Sequence, residues 1–187
     1  EKEKYILQSE YRKKGKNSSL IADFAFLRDY KSLTGNKIKT KNVNHLFLDY
    51  TSDLKIPNYL ESRFDAQFEK VTNDTYLKVF QNNLFDTPVM PGSQTTMNSN
   101  LKLYLEKENQ NLTTGVVVYE NLGTRHSDRY QYTLPYYDFS KNLTSLIEDN
   151  SINGSLNFYS TGTNKLSNTN NLRTTVANDF NYSSNNF

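Results

Sequence analysis

Residues Tyr59–Val71 read YLESRFDAQFEKV, and polar side chains occupy every second position of most of this run. The polar set is Glu61, Arg63, Asp65, Gln67 and Glu69, and the alternating set is Leu60, Ser62, Phe64, Ala66 and Phe68. Because successive side chains of a β-strand point to opposite faces, this pattern predicts a strand with one polar and one apolar face. An antiparallel sheet with one wet face fits the pattern, and so does a membrane barrel with a watery lumen.

The same period of two recurs along the chain. It predicts further strands at 20–30, 43–50, 101–107, 112–120, 129–137, 154–160 and 171–182. The apolar halves of the first three, with those of the opening run, are Leu20, Phe24, Phe26, Leu46, Leu48, Leu60, Phe64, Phe68, Leu101, Leu103 and Leu105. We therefore predict an all-β fold, an antiparallel meander without an internal domain boundary, and treat 1–187 as one segment.

Composition narrows the classes of protein that fit. Aromatic residues reach 13%, Asn is abundant and Ala is scarce, which favours strands over a helical bundle. The mean hydropathy of −0.78 is that of a water-soluble chain, but strands lining a polar lumen would give the same average. With 22 basic and 20 acidic residues the charge is nearly balanced, which gives no signal for nucleic acid. No apolar run approaches the ~18 residues of a membrane helix.

The connections between the predicted strands differ in length. Short links at 53–58 and 108–111 alternate with long ones at 31–42 and 81–100. Short turns at one end and long loops at the other are typical of outer-membrane barrels, although a soluble sandwich can show the same alternation. The one dense basic run, RKKGK at 12–16, is more often a solvated turn than a phosphate or lipid-headgroup site.

No catalytic pattern is present. His126 stands next to Ser127 and Asp128, but adjacent residues in a turn cannot form a relay by themselves. His45 alternates with apolar neighbours and fits a strand side chain better than a ligand. The chain contains no Cys, so thiolate metal sites and disulfides are excluded within it. We predict no enzyme activity, no metal and no cofactor.

Three short motifs occur in a fixed order. They are Asn73, Asp74, Tyr76 and Leu77 in KVTNDTYLKVF, then Tyr119 and Glu120 in VVVYENL, then Tyr130, Leu134 and Pro135 in YQYTLPYY. This order of motifs resembles that of the LptD family, also called Imp or OstA, whose outer-membrane proteins assemble lipopolysaccharide. The likeness runs over about residues 18–182. In the first motif, Asn73 stands where the family carries serine.

The resemblance implies that the chain is an internal segment of a large transmembrane β-barrel, without the family's periplasmic jelly-roll domain. It also implies transport of lipopolysaccharide into the outer leaflet of a Gram-negative outer membrane, with an LptE-like lipoprotein plug and an LptA-like periplasmic bridge as partners. In such a barrel the apolar set above would face lipid. The lumen would be lined by Asp23, Asp29, Glu61, Arg63, Asp65, Gln67 and Glu69, and Lys37, Lys39 and Lys41 would lie in an extracellular loop.

Two other interpretations of the alternation stay open. One is a different outer-membrane barrel, such as a porin or a receptor. The other is a soluble or surface-exposed all-β adhesion or binding module, in which the apolar side chains would meet in a core.

Overall fold

The protein, seen in a computed structural model, is a set of antiparallel strands with two short helices. The structure describes residues 5–34, 37–124, 129–148, 153–167 and 171–184. The strands are β1 (Leu7–Lys14), β2 (Ser18–Thr34), β3 (Lys37–Asp53), β4 (Glu61–Val71), β5 (Thr96–Lys107), β6 (Gln110–Asn121), β7 (Tyr130–Asn142), β8 (Ser155–Ser167) and β9 (Asn171–Ser183). The helices are α1 (Tyr76–Phe80), extended by a 3₁₀ turn at Gln81–Asn83, and α2 (Thr144–Glu148).

All nine strands belong to one sheet, in the order β1 to β9 along the chain. The outermost ladders run from Leu7↔Phe26 to Lys14↔Ser19 between β1 and β2, and from Ser155↔Ser183 to Ser167↔Asn171 between β8 and β9. Within the described residues β1 and β9 do not pair with each other, so this sheet is not closed into a barrel. The predicted all-β antiparallel meander is confirmed, and every predicted strand overlaps an observed one.

The prediction of a long loop at 31–42 is wrong. Residues 31–34 end β2 and residues 37–42 begin β3, so Lys37, Lys39 and Lys41 lie in a strand. The sequence Gly35-Asn36 is a two-residue hairpin signal, and it separates the two long strands.

The strands and connections form two compact units. The first unit consists of Glu1–Thr51, Ala66–Ser99 and Tyr119–Tyr130. Its core lies between the sheet and residues 72–95, which we call the covering segment. Asp23, Ala25 and Leu27 of β2 and Val43, His45 and Phe47 of β3 are buried, whereas their neighbours Phe24 and Leu46 are exposed. Tyr76, Leu77 and Leu84 of the covering segment pack into this core.

The second unit consists of Ser52–Asp65, Asn100–Val118 and Gln131–Phe187. Gly162 of β8 pairs with Tyr137 of β7, and a Cβ at Gly162 would overlap the Tyr137 ring, which therefore lies directly over the glycine. Between Thr133 and Tyr136 the register of β7 shifts against β8, which accommodates Pro135, since proline in a sheet is found at edges and bulges. Every described side chain of β9 is exposed.

Neither α1, α2 nor any other helix in the described ranges has the length and apolar composition to cross a lipid bilayer.

Candidate functional site

Residues from all three sequence motifs meet in one ionic network, which we call the motif cluster: Lys70, Asp74, Glu120, Arg129 and Tyr130. The carboxylate of Glu120 accepts hydrogen bonds from Lys70 Nζ at 2.7 Å, from Arg129 Nε at 2.8 Å and from the Tyr130 hydroxyl at 2.8 Å. The guanidinium of Arg129 also donates to Asp74 at 2.8 Å. Lys70 and Asp74 are thereby joined to Glu120, Arg129 and Tyr130, which are distant from them in sequence.

The charges of the motif cluster stabilise one another. Burial alone would raise the pKa of Glu120, whose residue is only 4% exposed, but the hydrogen bonds from Lys70, Arg129 and Tyr130 outweigh burial and lower it. Burial likewise opposes the charge of Lys70, yet its bonds to Glu120 and Tyr130 raise the pKa of the ammonium group. The contact with Asp74 is the largest cause of the raised pKa of Arg129. Lys70, Glu120 and Arg129 are therefore charged and paired at neutral pH.

The first motif also begins α1. The Asn73 side chain accepts a hydrogen bond from the Thr75 amide at 3.1 Å, and the Asn73 carbonyl accepts one from the Tyr76 amide at 2.9 Å. Such side-chain acceptors occupy backbone donors that the first turn of a helix leaves unsatisfied. Tyr76 and Leu77 follow, and both are buried in the core of the first unit. The motif thus joins the covering segment to the sheet by polar contacts and by apolar packing.

A second polar group lies in this core, around Asp23 and His45, which are both 0% exposed. The Thr87 hydroxyl donates to Asp23 Oδ2 at 2.8 Å, and the Gln8 amide donates to the same oxygen at 2.9 Å. His45 Nδ1 lies 3.0 Å from the Tyr76 hydroxyl. His45 Nε2 lies 3.1 Å from Asp23 Oδ1 but without hydrogen-bond alignment.

The pKa values in this group follow from burial and from charge. Burial opposes the Asp23 carboxylate, but His45, Thr87 and Gln8 together outweigh it, and the pKa of Asp23 is lowered. Burial, and then the nearby negative charge of Asp23, raise the pKa of the Tyr76 hydroxyl. Because these side chains are closed off from solvent, the group fixes the covering segment and is not positioned to meet a substrate.

The residues predicted to line a lumen divide between the two units. In the second unit Arg63 lies between Glu61 and Asp65, at 3.3 Å and 3.1 Å, and the three side chains share one face of β4. In the first unit Gln67 donates to Glu69 at 2.9 Å. Glu69 is buried rather than hydrated; burial raises the pKa of its carboxyl group, against the opposing hydrogen bonds from Asn98 and Gln67.

The remaining two predicted lumen residues lie on β2. Asp23 is buried beneath the covering segment, so its carboxylate does not face open solvent. Asp29 is exposed and has a φ of 57°, a left-handed conformation in which Asp and Asn are found more often than most residues.

None of the residues predicted to face lipid is buried. In the first unit Phe24, Leu46 and Phe68 are exposed, and Leu20, Phe26 and Leu48 are half-buried. In the second unit Leu60 is 73% exposed and Leu101 is 47% exposed, and Phe64, Leu103 and Leu105 are half-buried. In the first unit this apolar set lies outside the buried core.

Sequence reasoning found only part of the cluster. Lys70 and Arg129 were missed, although each directly adjoins a predicted motif or ladder residue. Conversely, the motif residues Tyr119, Leu134 and Pro135 are exposed and are not members of the cluster. His126 lies outside the described residues.

Comparison with known proteins does not assign the chain to a family. No protein-family model matches it, and neither does any curated protein or any solved structure.

Proposed function

We propose that this chain forms part of the wall of an outer-membrane β-barrel of the LptD type, which passes lipopolysaccharide into the outer leaflet. One observation carries the membrane part of the proposal. Apolar side chains such as Phe24, Leu46 and Phe68 stay exposed outside the core, while the opposite face of the same strands is buried and includes Asp23, His45 and Glu69 beside its apolar side chains. A soluble sandwich would bury the first set between two sheets.

The energetics of a bilayer support this assignment of faces. A charged side chain on the lipid face at mid-membrane costs about 2–4 kcal/mol, whereas a hydrated lumen accepts charge. On β4 the charged residues Glu61, Arg63 and Asp65 share one face, and Phe64 lies on the other. The arrangement therefore suits a strand with lipid on one side and polar surroundings on the other.

The motif cluster supports the narrower identification with the LptD type. The resemblance rests on three short motifs, and Asp74, Glu120 and Tyr130 contribute one side chain from each to a single network. Glu120 and Tyr130 lie at facing ends of the neighbouring strands β6 and β7, and Arg129 links Asp74 to them. The order of the motifs along the chain thus corresponds to a contact in space.

The polar face fits passage of a lipid with an anionic head. Its charges are mixed: Arg63 is flanked by two carboxylates, and Lys102 lies 3.8 Å from Asp65. Tight capture of phosphate would call for clustered Arg and Lys. A mixed surface favours hydration and contact with an LptE-like plug lipoprotein. The proposed activity is transport without covalent chemistry. Lipopolysaccharide would arrive from the periplasm through an LptA-like bridge.

The test is photo-crosslinking in cells that carry the full-length gene. Crosslinkers at positions 63, 65 and 67 should capture the plug lipoprotein or lipopolysaccharide, and crosslinkers at 64 and 68 serve as matched controls on the opposite face. Crosslinks from the control positions alone would contradict the assignment. Normal surface lipopolysaccharide after deletion of the gene would contradict the transport role. That result would still be compatible with a porin-like barrel.

A further inference from the structure

The edge strand β1 carries a surface that changes from apolar to cationic along the length of the strand. Along β1, the side chains of one face are Leu7, Ser9, Tyr11 and Lys13, since alternate residues of a strand share a face. Leu7 is 70% exposed and Tyr11 is 55% exposed. The strand ends in Lys14, and Lys16 follows in the turn. The surface therefore changes from apolar through aromatic to cationic over six residues, or roughly 20 Å.

The neighbouring strand continues this gradient. Leu7 pairs with Phe26, Ser9 with Phe24, and Tyr11 with Ala22, so β2 adds apolar area beside the apolar part of β1. Lys13 and Lys14 pair with Leu20 and Ser19, which carry no charge. A hydrogen bond of 2.7 Å from the Gly15 amide to the Ser18 carbonyl closes the turn.

The lysines of this turn are open to an external anion. Lys13, Lys14 and Lys16 are exposed, and within the described ranges no carboxylate forms an ion pair with any of them. Arg12 differs, because Glu10 already pairs with its guanidinium. The turn thus presents three ammonium groups at the boundary of an exposed apolar surface.

We propose that this turn binds the headgroups of anionic phospholipids, with Lys13, Lys14 and Lys16 at the bilayer surface and Tyr11 in the interfacial region. The proposal rests on the membrane role proposed above and adds the position of one bilayer boundary to it. Tyrosines gather at the interface of membrane proteins because they join an apolar ring to a polar hydroxyl. Lysines beside an anionic leaflet gain from its surface potential. Charge complementarity therefore selects an anionic phospholipid over a neutral one.

The test compares two kinds of vesicle with the 187-residue chain transferred from detergent. Flotation measures its partition into phosphatidylcholine vesicles and into vesicles that also contain phosphatidylglycerol. Wild type should bind both kinds, and the anionic kind more tightly. Replacing all three turn lysines by Gln should lower partition into anionic vesicles on the order of 100-fold, since each lysine near such a surface adds roughly a five-fold gain. Partition into neutral vesicles should not change.

A second triple variant is the matched control. Lys31, Lys78 and Lys165 are also exposed, and their replacement by Gln removes the same total charge elsewhere on the chain. This control should keep the preference for anionic vesicles. The preference should also weaken as salt is added, because the Debye length shrinks to about 10 Å at 0.1 M.

The outcomes separate this inference from the proposed function. Equal loss in both triple variants, or no loss in the turn variant, would overturn the headgroup site while partition into neutral vesicles still supports the membrane role. Failure to associate with either kind of vesicle would overturn both.

Discussion

Replacing Glu120 by Gln tests the motif cluster directly. The change keeps the shape of the side chain but removes the charge that Lys70 and Arg129 share. A hydrogen bond to a charged group contributes about 1.5–3 kcal/mol, and Glu120 accepts three of them, two from cationic side chains. Lys70 is 43% exposed, so its share is reduced by solvent screening, and Arg129 keeps its contact with Asp74. We expect the free energy of unfolding to fall by about 2–3 kcal/mol.

The assay is urea unfolding of the chain in detergent, followed by the fluorescence of its 14 tyrosines, since it contains no tryptophan. Glu108→Gln is the control, because Glu108 is exposed in the turn between β5 and β6. A surface change of this kind should stay within about 0.5 kcal/mol.

The pH dependence supplies a second test of Glu120. Its pKa in the folded chain is lowered below the ordinary 4.5. The contribution of Glu120 to the free energy of unfolding is therefore present above pH 4.5, and it is lost as the pH falls through the pKa of the folded chain. Wild type should lose stability in this acidic range, and the Gln variant should lose less. A variant as stable as wild type at neutral pH, or one with an unchanged acid limb, would refute the reasoning.

Three further predictions concern the buried groups. The pKa of Asp23 is lowered from 3.8, so the stability that its carboxylate gives the fold is present above pH 3.8 and is lost as the pH falls through the folded pKa. Asp23→Asn should therefore reduce the loss of stability seen in an acid titration. Tyr76→Phe leaves His45 Nδ1 without its hydroxyl partner and should cost about 1–3 kcal/mol, and an unchanged urea midpoint would contradict it. Gly162→Ala forces the ring of Tyr137 aside and should cost about 1–3 kcal/mol. If that overlap is the cause, the penalty should shrink in a Tyr137→Ala background, which a double-mutant cycle measures.

The strands could be predicted from the sequence because their signal is local. In β4 the alternation of Arg63, Phe64 and Asp65 depends only on neighbours in the chain, and the structure places those residues in a strand. The strand ends at 31–34 and 37–42 are not predicted because the lysines there resemble a polar loop, although the sequence Gly-Asn between two strand-like runs is a hairpin signal.

The covered face could not be predicted in the same way. Asp23 and His45 alternate with apolar residues and resemble side chains on a wet face. What buries them is the covering segment, and Thr87 reaches Asp23 from 64 residues away. That segment has no regular period, so the local pattern does not indicate which face it covers.

The motif cluster shows the limit of short motifs. The resemblance pointed to Asp74, Glu120 and Tyr130, but it did not include Lys70 or Arg129, which supply the positive charge that binds them together. Charge pairing across 50 and 55 positions of sequence depends on the topology of the sheet as well as on the identity of the residues. The interaction could be found only once the strand order was known.

Depth measurement on β4 tests the central claim most directly. The chain has no native cysteine, so a spin label can be placed singly at position 64, 65, 67 or 68 in the chain reconstituted into vesicles. Our account predicts that labels at 64 and 68 are accessible to oxygen dissolved in the lipid, while labels at 65 and 67 are accessible to a water-soluble nickel chelate. Labels at 64 and 68 that meet only the chelate, with those at 65 and 67 in lipid or in a dry core, would contradict it.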